Sequence, residues 1–460
     1  MLLQRKHDYE LKVEQVPAHE ALVSRKRHFL RAYMGTGKTV IGTKAAYDVG
    51  AKRILIICPS NAIRTWEDHI CDWYDGLDAK HGKDTSFNIH RWRKKYNNRD
   101  QRRKLLGHVD RNSDVNVWIM TAGGFLQDYD ILTHKFDLII IDEAKRVGLY
   151  NRKSKLFERL KPFARDAEYF WPMSGSPGRT PDLFWTIFHL FEPKVFASYH
   201  RFVNTYCYTQ PAHWGGIEIL GLKNEEGWYQ LLDRKTTALT KKDLGHRETV
   251  RSPLYVELDK CQEEHYASMS KDMLTMTEDG NLIIAQTSMT QSLRLRQLLA
   301  CPRILDPSFS MGGAFDDFVE TIKESNPHTV LFTPFVEAID HFANALKHLG
   351  YATFKFSGQE GLSPDGLTSR ISDWRRSKGI AICSIKYATS FSFEPASECY
   401  FIGYEWDPDD NAQAEERINR LTTPYQCNAY YYLYSGTYDE SQMGTVNIKQ
   451  KQANKTLNTM

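Results

Sequence analysis

Long apolar runs are missing from this chain: the longest, such as LIII at Leu138 to Ile141, are strand-sized and far short of a bilayer span. The opening MLLQRKHDYE has no apolar stretch behind its basic residues, so no secretory signal is expected. Cysteine is sparse and scattered. The eight cysteines form no CxxC pair and no Cys/His cluster with zinc-ligand spacing. Reduced thiols in a cytoplasmic protein are therefore expected, with neither disulfide nor structural metal. Short-period repeats and low-complexity tracts are also missing, which excludes solenoids and arrays. A strong charge of one sign is missing too, with a net of only +3, but the balance is uneven. Residues 1–200 hold 34 Lys+Arg against 24 Asp+Glu, a net of +10, and the remainder carries a net of −7. A basic first part points weakly to a polyanion partner there.

What is present is an ordinary globular composition, 41% hydrophobic and 25% charged, over 460 residues, enough for two to four domains. Short apolar runs rich in β-formers alternate with helix-patterned stretches: RILIICPS, VWIMTA, FDLIIIDEA and YFWPMSGSP first, then TVLFTPF, ATFKFSG, GIAICSI and ECYFIGYEW. That alternation predicts an α/β chain with two parallel-sheet lobes. YYYLY at Tyr430 to Tyr434 reads as a late strand of the second lobe. From about Phe196 to Met311 the pattern turns polar and helical, with LRLRQLLACPRIL its clearest amphipathic segment. The expected organisation is a first lobe over 1–200, a mostly helical connector over 201–312 and a second lobe over 313–460.

Two local patterns carry chemistry. In RAYMGTGKTVIG, glycines let backbone N–H groups curl around phosphate oxygens at the start of a helix. Gly35, Thr36 and Gly37 would form the cradle, Lys38 would reach the β- and γ-phosphates, and the Thr39 hydroxyl would hold Mg²⁺. The strict pattern opens with glycine where Ala32 stands here. About a hundred residues on, FDLIIIDEAK ends a buried strand with Asp142 and Glu143. A carboxylate there serves the Mg²⁺ shell, and its neighbour orients or deprotonates an attacking water. ATP and Mg²⁺ are the expected cofactors.

From this point the sequence resembles superfamily-two helicases, and among them the Swi/Snf-like ATPases, in an ordered series of motifs over nearly the whole chain. Gln15 stands where that family reads adenine. CPSNAIRTWEDHI, with Pro59, Ser60 and Trp66, is similar to a motif that grips the DNA backbone, and Thr121 in WIMTAGGFL matches the next one. SGSPGRTPDLFW, through Ser174, Gly175, Ser176 and Pro177, is similar to the motif coupling ATP state to DNA. QAEERINR resembles the arginine-finger motif, with Gln413 on nucleotide and Arg417 and Arg420 catalytic. GTYDE resembles the family's terminal brace, and FASYHRFVNTYC with GLKNEEGWYQLL resembles annealing-helicase-like members. Two departures stand out. Lys145 replaces the usual His of the DEAH box, and the family's paired glycines are replaced around Ala388 to Phe393. No chromodomain, bromodomain or zinc finger is visible, a compactness similar to that of bacteriophage and prokaryotic stand-alone members.

The resemblance implies two tandem RecA-like lobes and a DNA-dependent ATPase that translocates on duplex or branched DNA without reading sequence, in the cytoplasm and away from membranes. Lys38, Asp142 and Glu143 are implied from the first lobe and Arg417 and Arg420 from the second. Backbone grip is expected from HRWRKKYNNRDQRRKLL, through Arg91, Arg93, Lys94, Lys95, Arg102 and Arg103. Packing, rather than base stacking, is the expected role of Trp92 and Tyr96. A strand-separating or branch-migrating helicase, an RNA-acting ATPase and an ATP-switched DNA clamp stay open as alternatives.

Overall fold

A computed structural model describes residues 9–60, 62–92, 98–175, 178–212, 215–277, 279–323, 328–362, 364–388, 391–420 and 423–458. The chain forms two compact units, Met1–His246 with Lys451–Met460, and Arg247–Gln450. Among the described residues no helix is long and apolar enough to cross a membrane.

The first unit is built on β1 (Phe29–Ala32), β2 (Arg53–Ile57), β3 (Phe87–Arg91), β4 (Val115–Met120), β5 (Leu138–Ile141) and β6 (Tyr169–Pro172). Five of these form a parallel sheet in the order β3-β4-β2-β5-β6. Parallel bridges Arg27↔Phe170 and Leu30↔Met173 lay β1 beside β6. Runs such as RILII and LIII lack polar alternation because helices cover both sheet faces. Side chains on a strand point alternately to either side. Leu55 and Ile57 therefore enter one core with Trp118 and Ile139, while Ile54 and Ile56 enter the other with Val117 and Ile140. An antiparallel ribbon of β7 (Cys207–Pro211) and β8 (Ile217–Leu222) follows, and then β9 (Thr236–Leu239), which pairs in parallel with β1.

The second unit repeats the plan. Its strands are β10 (Val250–Val256), the β11 (Leu274–Met276) and β12 (Leu282–Ile284) hairpin, β13 (Thr329–Thr333), β14 (Thr353–Phe356), β15 (Ile380–Ser384), β16 (Glu398–Phe401) and β17 (Asn428–Tyr434). A six-stranded parallel sheet runs β10-β17-β16-β13-β15-β14. The YYYLY run is β17, inside that sheet.

The stretch expected as a connector, 201–312, is divided between the units. It holds strands β7 to β12 among its helices. The physical reason is pairing. β9 satisfies backbone groups of β1, and β10 does the same for β17, so neither strand stands outside a lobe.

The terminal helix Tyr438–Leu457 ends in the first unit, where side chains take its last carbonyls. The Trp228 indole donates to Thr456 O at 2.7 Å, the Tyr229 hydroxyl to Lys455 O at 2.8 Å and Arg31 to Leu457 O at 3.1 Å. These are carbonyls that a helix cannot satisfy from within. Trp228→Phe keeps an aromatic ring among Phe184, Phe188 and Phe202 but leaves a cavity and strips the Thr456 carbonyl of its buried donor, the lost donor alone costing about 1–3 kcal/mol. Thermal unfolding should show the variant melting several degrees lower; an unchanged midpoint would mean that this cap contributes nothing.

Candidate active site

The glycine loop lies between β1 and α2 (Lys38–Asp48). Gly35 and Gly37 hold left-handed backbone, at φ +75° and +91°, and Gly37 caps the helix. A side chain is excluded at Gly37, since a Cβ there would lie 2.4 Å from Gln15 Nε2. Gln15 is buried just ahead of α1 (Val16–Arg25); its amide donates to Thr36 O at 2.8 Å and its Oε1 accepts from Lys12 N at 3.0 Å. Thr36 donates its hydroxyl to Tyr33 O at 2.7 Å. The loop is thus held from both sides, with Lys38 and Thr39 in the first turn of α2, at the positive end of the helix.

β5 delivers the acidic pair. Asp142 N donates to Ile57 O at 2.8 Å, extending the sheet by one residue, and the chain then turns sharply, with Glu143 at φ +51°. That conformation is unfavourable for a residue with a Cβ and persists only where the surroundings fix it. Lys38 Nζ lies 3.0 Å from Glu143 Oε1 and donates to Ala32 O at 3.2 Å. Asp142 Oδ1 accepts from Glu143 N at 3.0 Å, and its Oδ2 accepts from the Trp66 indole at 2.9 Å. Burial pushes the Asp142 carboxyl above its usual range, and the neighbouring Glu143 charge adds to this; Lys38 and the Trp66 hydrogen bond act against it.

Ser174 and Gly175 close in from the end of β6. Ser174 is buried, with its N–H on Leu30 O at 3.1 Å. A Cβ at Gly175 would stand 3.0 Å from Met34 Cγ and 3.3 Å from Lys38 Nζ, so a larger residue would crowd the loop at this approach. The donor set suits Mg²⁺ with ATP: hydroxyl and carboxylate oxygens at Thr39 and Asp142, and a glycine cradle that a Cβ would fill. Among the described residues no group of three or more His, Cys, Asp or Glu could hold a metal ion.

In the second unit, Gln413 lies on the helix Pro408–Glu415 and Arg417 and Arg420 lie just beyond it. Arg417 is buried, its Nε on Gln413 O at 3.1 Å and its Nη1 on Phe391 O at 3.4 Å. Arg420 Nη2 donates to the same Phe391 carbonyl at 3.2 Å, and burial lowers its pKa. Phe391 therefore seats the arginine segment through its carbonyl. Phe391 and Phe393 enter the core, and Phe393 N donates to Arg417 O at 2.7 Å.

The residues expected on DNA are placed variously. Pro59 and Ser60 lie ahead of α3 (Ile63–His81), with Ser60 exposed. Thr121 caps the helix Ala122–Asp128 through its hydroxyl, which accepts from Gly124 N at 2.9 Å. Ser176, Arg93, Lys94, Lys95 and Tyr96 lie outside the described residues. Arg91 pairs with Glu67 at 2.9 Å, and Arg102 is buried against Asp128 at 2.8 Å, because each guanidinium meets a carboxylate from another element. Trp92 packs over Gly124 and donates to Asp128 at 2.8 Å, as packing would have it. Trp66, grouped by its motif with the backbone grip, is fully buried and reaches Asp142 instead. Its signal was periodic: Ile63, Trp66, Ile70, Trp73, Tyr74 and Leu77 form one buried stripe on α3.

Because folding raises the Asp142 pKa, the stability linked to this group is fully present below the ordinary carboxylate range and is lost as pH rises through the raised value. Asp142→Asn removes the buried charge. Its melting temperature relative to the wild type should rise as pH goes from 4 to 8, on top of a pH-independent loss from the N–H donor that the amide cannot serve; a difference independent of pH would show that Asp142 is not strained by its charge.

The SNF2-related domain model matches residues 15–304. An uncharacterized ATP-dependent helicase of Mycoplasma pneumoniae is 22% identical over 446 residues, covering 92% of this chain and 39% of that protein. Human chromodomain-helicase-DNA-binding protein 7 is 21% identical over 460 residues, covering 90% and 15%. The human DNA annealing helicase and endonuclease ZRANB3 is 22% identical over 441 residues, covering 92% and 38%. The chain thus spans between 15% and 39% of the length of these relatives. A solved Sulfolobus solfataricus SWI2/SNF2 ATPase core in complex with dsDNA is 19% identical over 97% of each chain, with a TM-score of 0.41. With the family model matched over more than half of its length, the chain belongs to the SNF2-related domain family.

Proposed function

We propose that this chain is a DNA-dependent ATPase that translocates on duplex DNA. The observation that carries the reading is the convergence of Lys38, Glu143 and Asp142 at a glycine loop braced by Gln15. Membership of the SNF2-related family supports it, as do relatives named for ATP-dependent helicase, DNA-binding and DNA-annealing activity.

Bound Mg·ATP supplies the phosphoanhydride bond to be cleaved and a divalent charge beside it. In the proposed cycle Lys38 holds the β- and γ-phosphates, and Thr39 and Asp142 hold the cation. Gln15 and Gln413 hold the nucleotide, and Glu143 orients a water and takes its proton. Lys38 leaves Glu143 for phosphate oxygens, freeing that carboxylate to act as a base. Arg417 and Arg420 are the proposed source of positive charge for the transferring phosphoryl group; such an arginine is worth ~10³–10⁵ in rate, roughly 4–7 kcal/mol. Pro59, Ser60, Thr121, Ser174 and Ser176 are proposed to carry the DNA contact and its coupling to ATP, with Arg93, Lys94 and Lys95 on phosphates.

Lys38→Ala, Glu143→Gln and Arg420→Ala should each lower DNA-stimulated hydrolysis by ~10²-fold or more. Near-normal turnover in the Glu143 variant would remove it as the base. Duplex, forked, single-stranded and RNA ligands at two salt concentrations should rank duplex or branched DNA first, with affinity falling steeply as salt rises. Stimulation by RNA alone would overturn the choice of DNA.

A further inference from the structure

Trp66 has a single polar atom, and the fold brings it to the nucleotide site. The side chain is fully buried, and its Nε1 lies 2.9 Å from Asp142 Oδ2. The other oxygen of that carboxylate already accepts from Glu143 N at 3.0 Å. Each oxygen is thus fixed by one N–H, and the carboxylate cannot turn about its own axis without breaking one of the two. The far edge of the indole rests on α2 at Gly42, where a Cβ would come 3.1 Å from Trp66 Cη2 and 2.7 Å from Met173 Cε. The ring therefore has a defined seat on the helix that begins with Lys38.

Its backbone is as firmly tied on the other side. Ala62 N donates to Pro59 O at 2.9 Å, and Trp66 N donates to Ala62 O at 3.0 Å. Two hydrogen bonds in series thus join Pro59 to Trp66. A third, from the indole, joins Trp66 to Asp142.

We propose that Trp66 is a positioning residue for the nucleotide site, one that aims the Asp142 carboxylate and makes its aim depend on where Pro59 and Ala62 sit. The proposal rests on the reading of Asp142 as a ligand of the nucleotide's Mg²⁺. Partners that orient a ligating group typically change activity or metal affinity by about 10–100-fold when removed. Pressure on Pro59, such as a DNA backbone would exert, changes the donor's position relative to Asp142. In this way a contact outside the nucleotide site reaches the cation ligand within one lobe.

Trp66→Phe keeps an aromatic ring at this position of α3 and removes the donor together with the far edge of the indole that rests on α2. We expect kcat to fall about tenfold or more and the Mg²⁺ concentration for half-maximal rate to rise, while KM for ATP stays within about twofold. A merely space-filling Trp66 would leave the Mg²⁺ dependence unmoved. An independent readout uses nucleotide-free, ¹⁵N-tryptophan-labelled protein. Among the ten indole N–H signals, one should lie downfield, vanish in Trp66→Phe and move upfield in Asp142→Asn. Wild-type kcat and Mg²⁺ dependence in Trp66→Phe, or a spectrum with no indole that responds to Asp142→Asn, would overturn the proposal. Should Trp66→Phe fail to fold, the Asp142→Asn spectrum decides alone. If the wild-type protein hydrolyses no ATP while that indole does respond, the motor reading falls and the Trp66 contact stands.

Discussion

An ammonium and two carboxylates sit together where water is largely excluded, and the first lobe is arranged to keep them there. Lys38 and Glu143, 3.0 Å apart, have side chains exposed by only 10% and 18%, and Asp142 is buried beside them. At low effective dielectric such charges attract and repel strongly, and any one of them alone would be expensive to hold. β1 brings the lysine and β5 brings the acids. The sheet fixes the spacing between the two groups to a degree that a loop alone would not. The same geometry that makes the cluster tolerable leaves it ready to exchange partners with a polyphosphate.

The local strain has the same origin. Glu143 holds a left-handed backbone, a Cβ would clash at Gly37 and be crowded at Gly175, and Asp142 is pushed toward its protonated form by burial. None of these is favourable in isolation. They persist because cores on both sheet faces over-determine the strand ends that carry them. The second lobe uses a similar device in a different place: the Phe391 carbonyl accepts from Arg417 and Arg420, and the Phe393 N–H donates to the Arg417 carbonyl.

Much of this was legible in the chain itself. LIII and RILII read as buried parallel strands because their apolar runs have no polar alternation, and the glycine loop and acidic pair are local patterns with fixed spacing. What was not legible depends on distant partners. β9 and β10 look like connector until they pair with strands some two hundred residues away in sequence. Arg91 and Arg102 read as grips for a DNA backbone, and their ion pairs with Glu67 and Asp128 from other elements are not visible in the segment itself. Trp66 was the instructive case. Its motif placed it near DNA, whereas the helical spacing of its apolar neighbours placed it inside, and burial followed the spacing.

The most direct measurement is multiple-turnover phosphate release by the whole chain with Mg·ATP, with and without duplex DNA. A motor built on this site gives many turnovers per chain and a rate raised several-fold or more by duplex. Release that stops at about one phosphate per chain, or a steady rate indifferent to DNA, would contradict it.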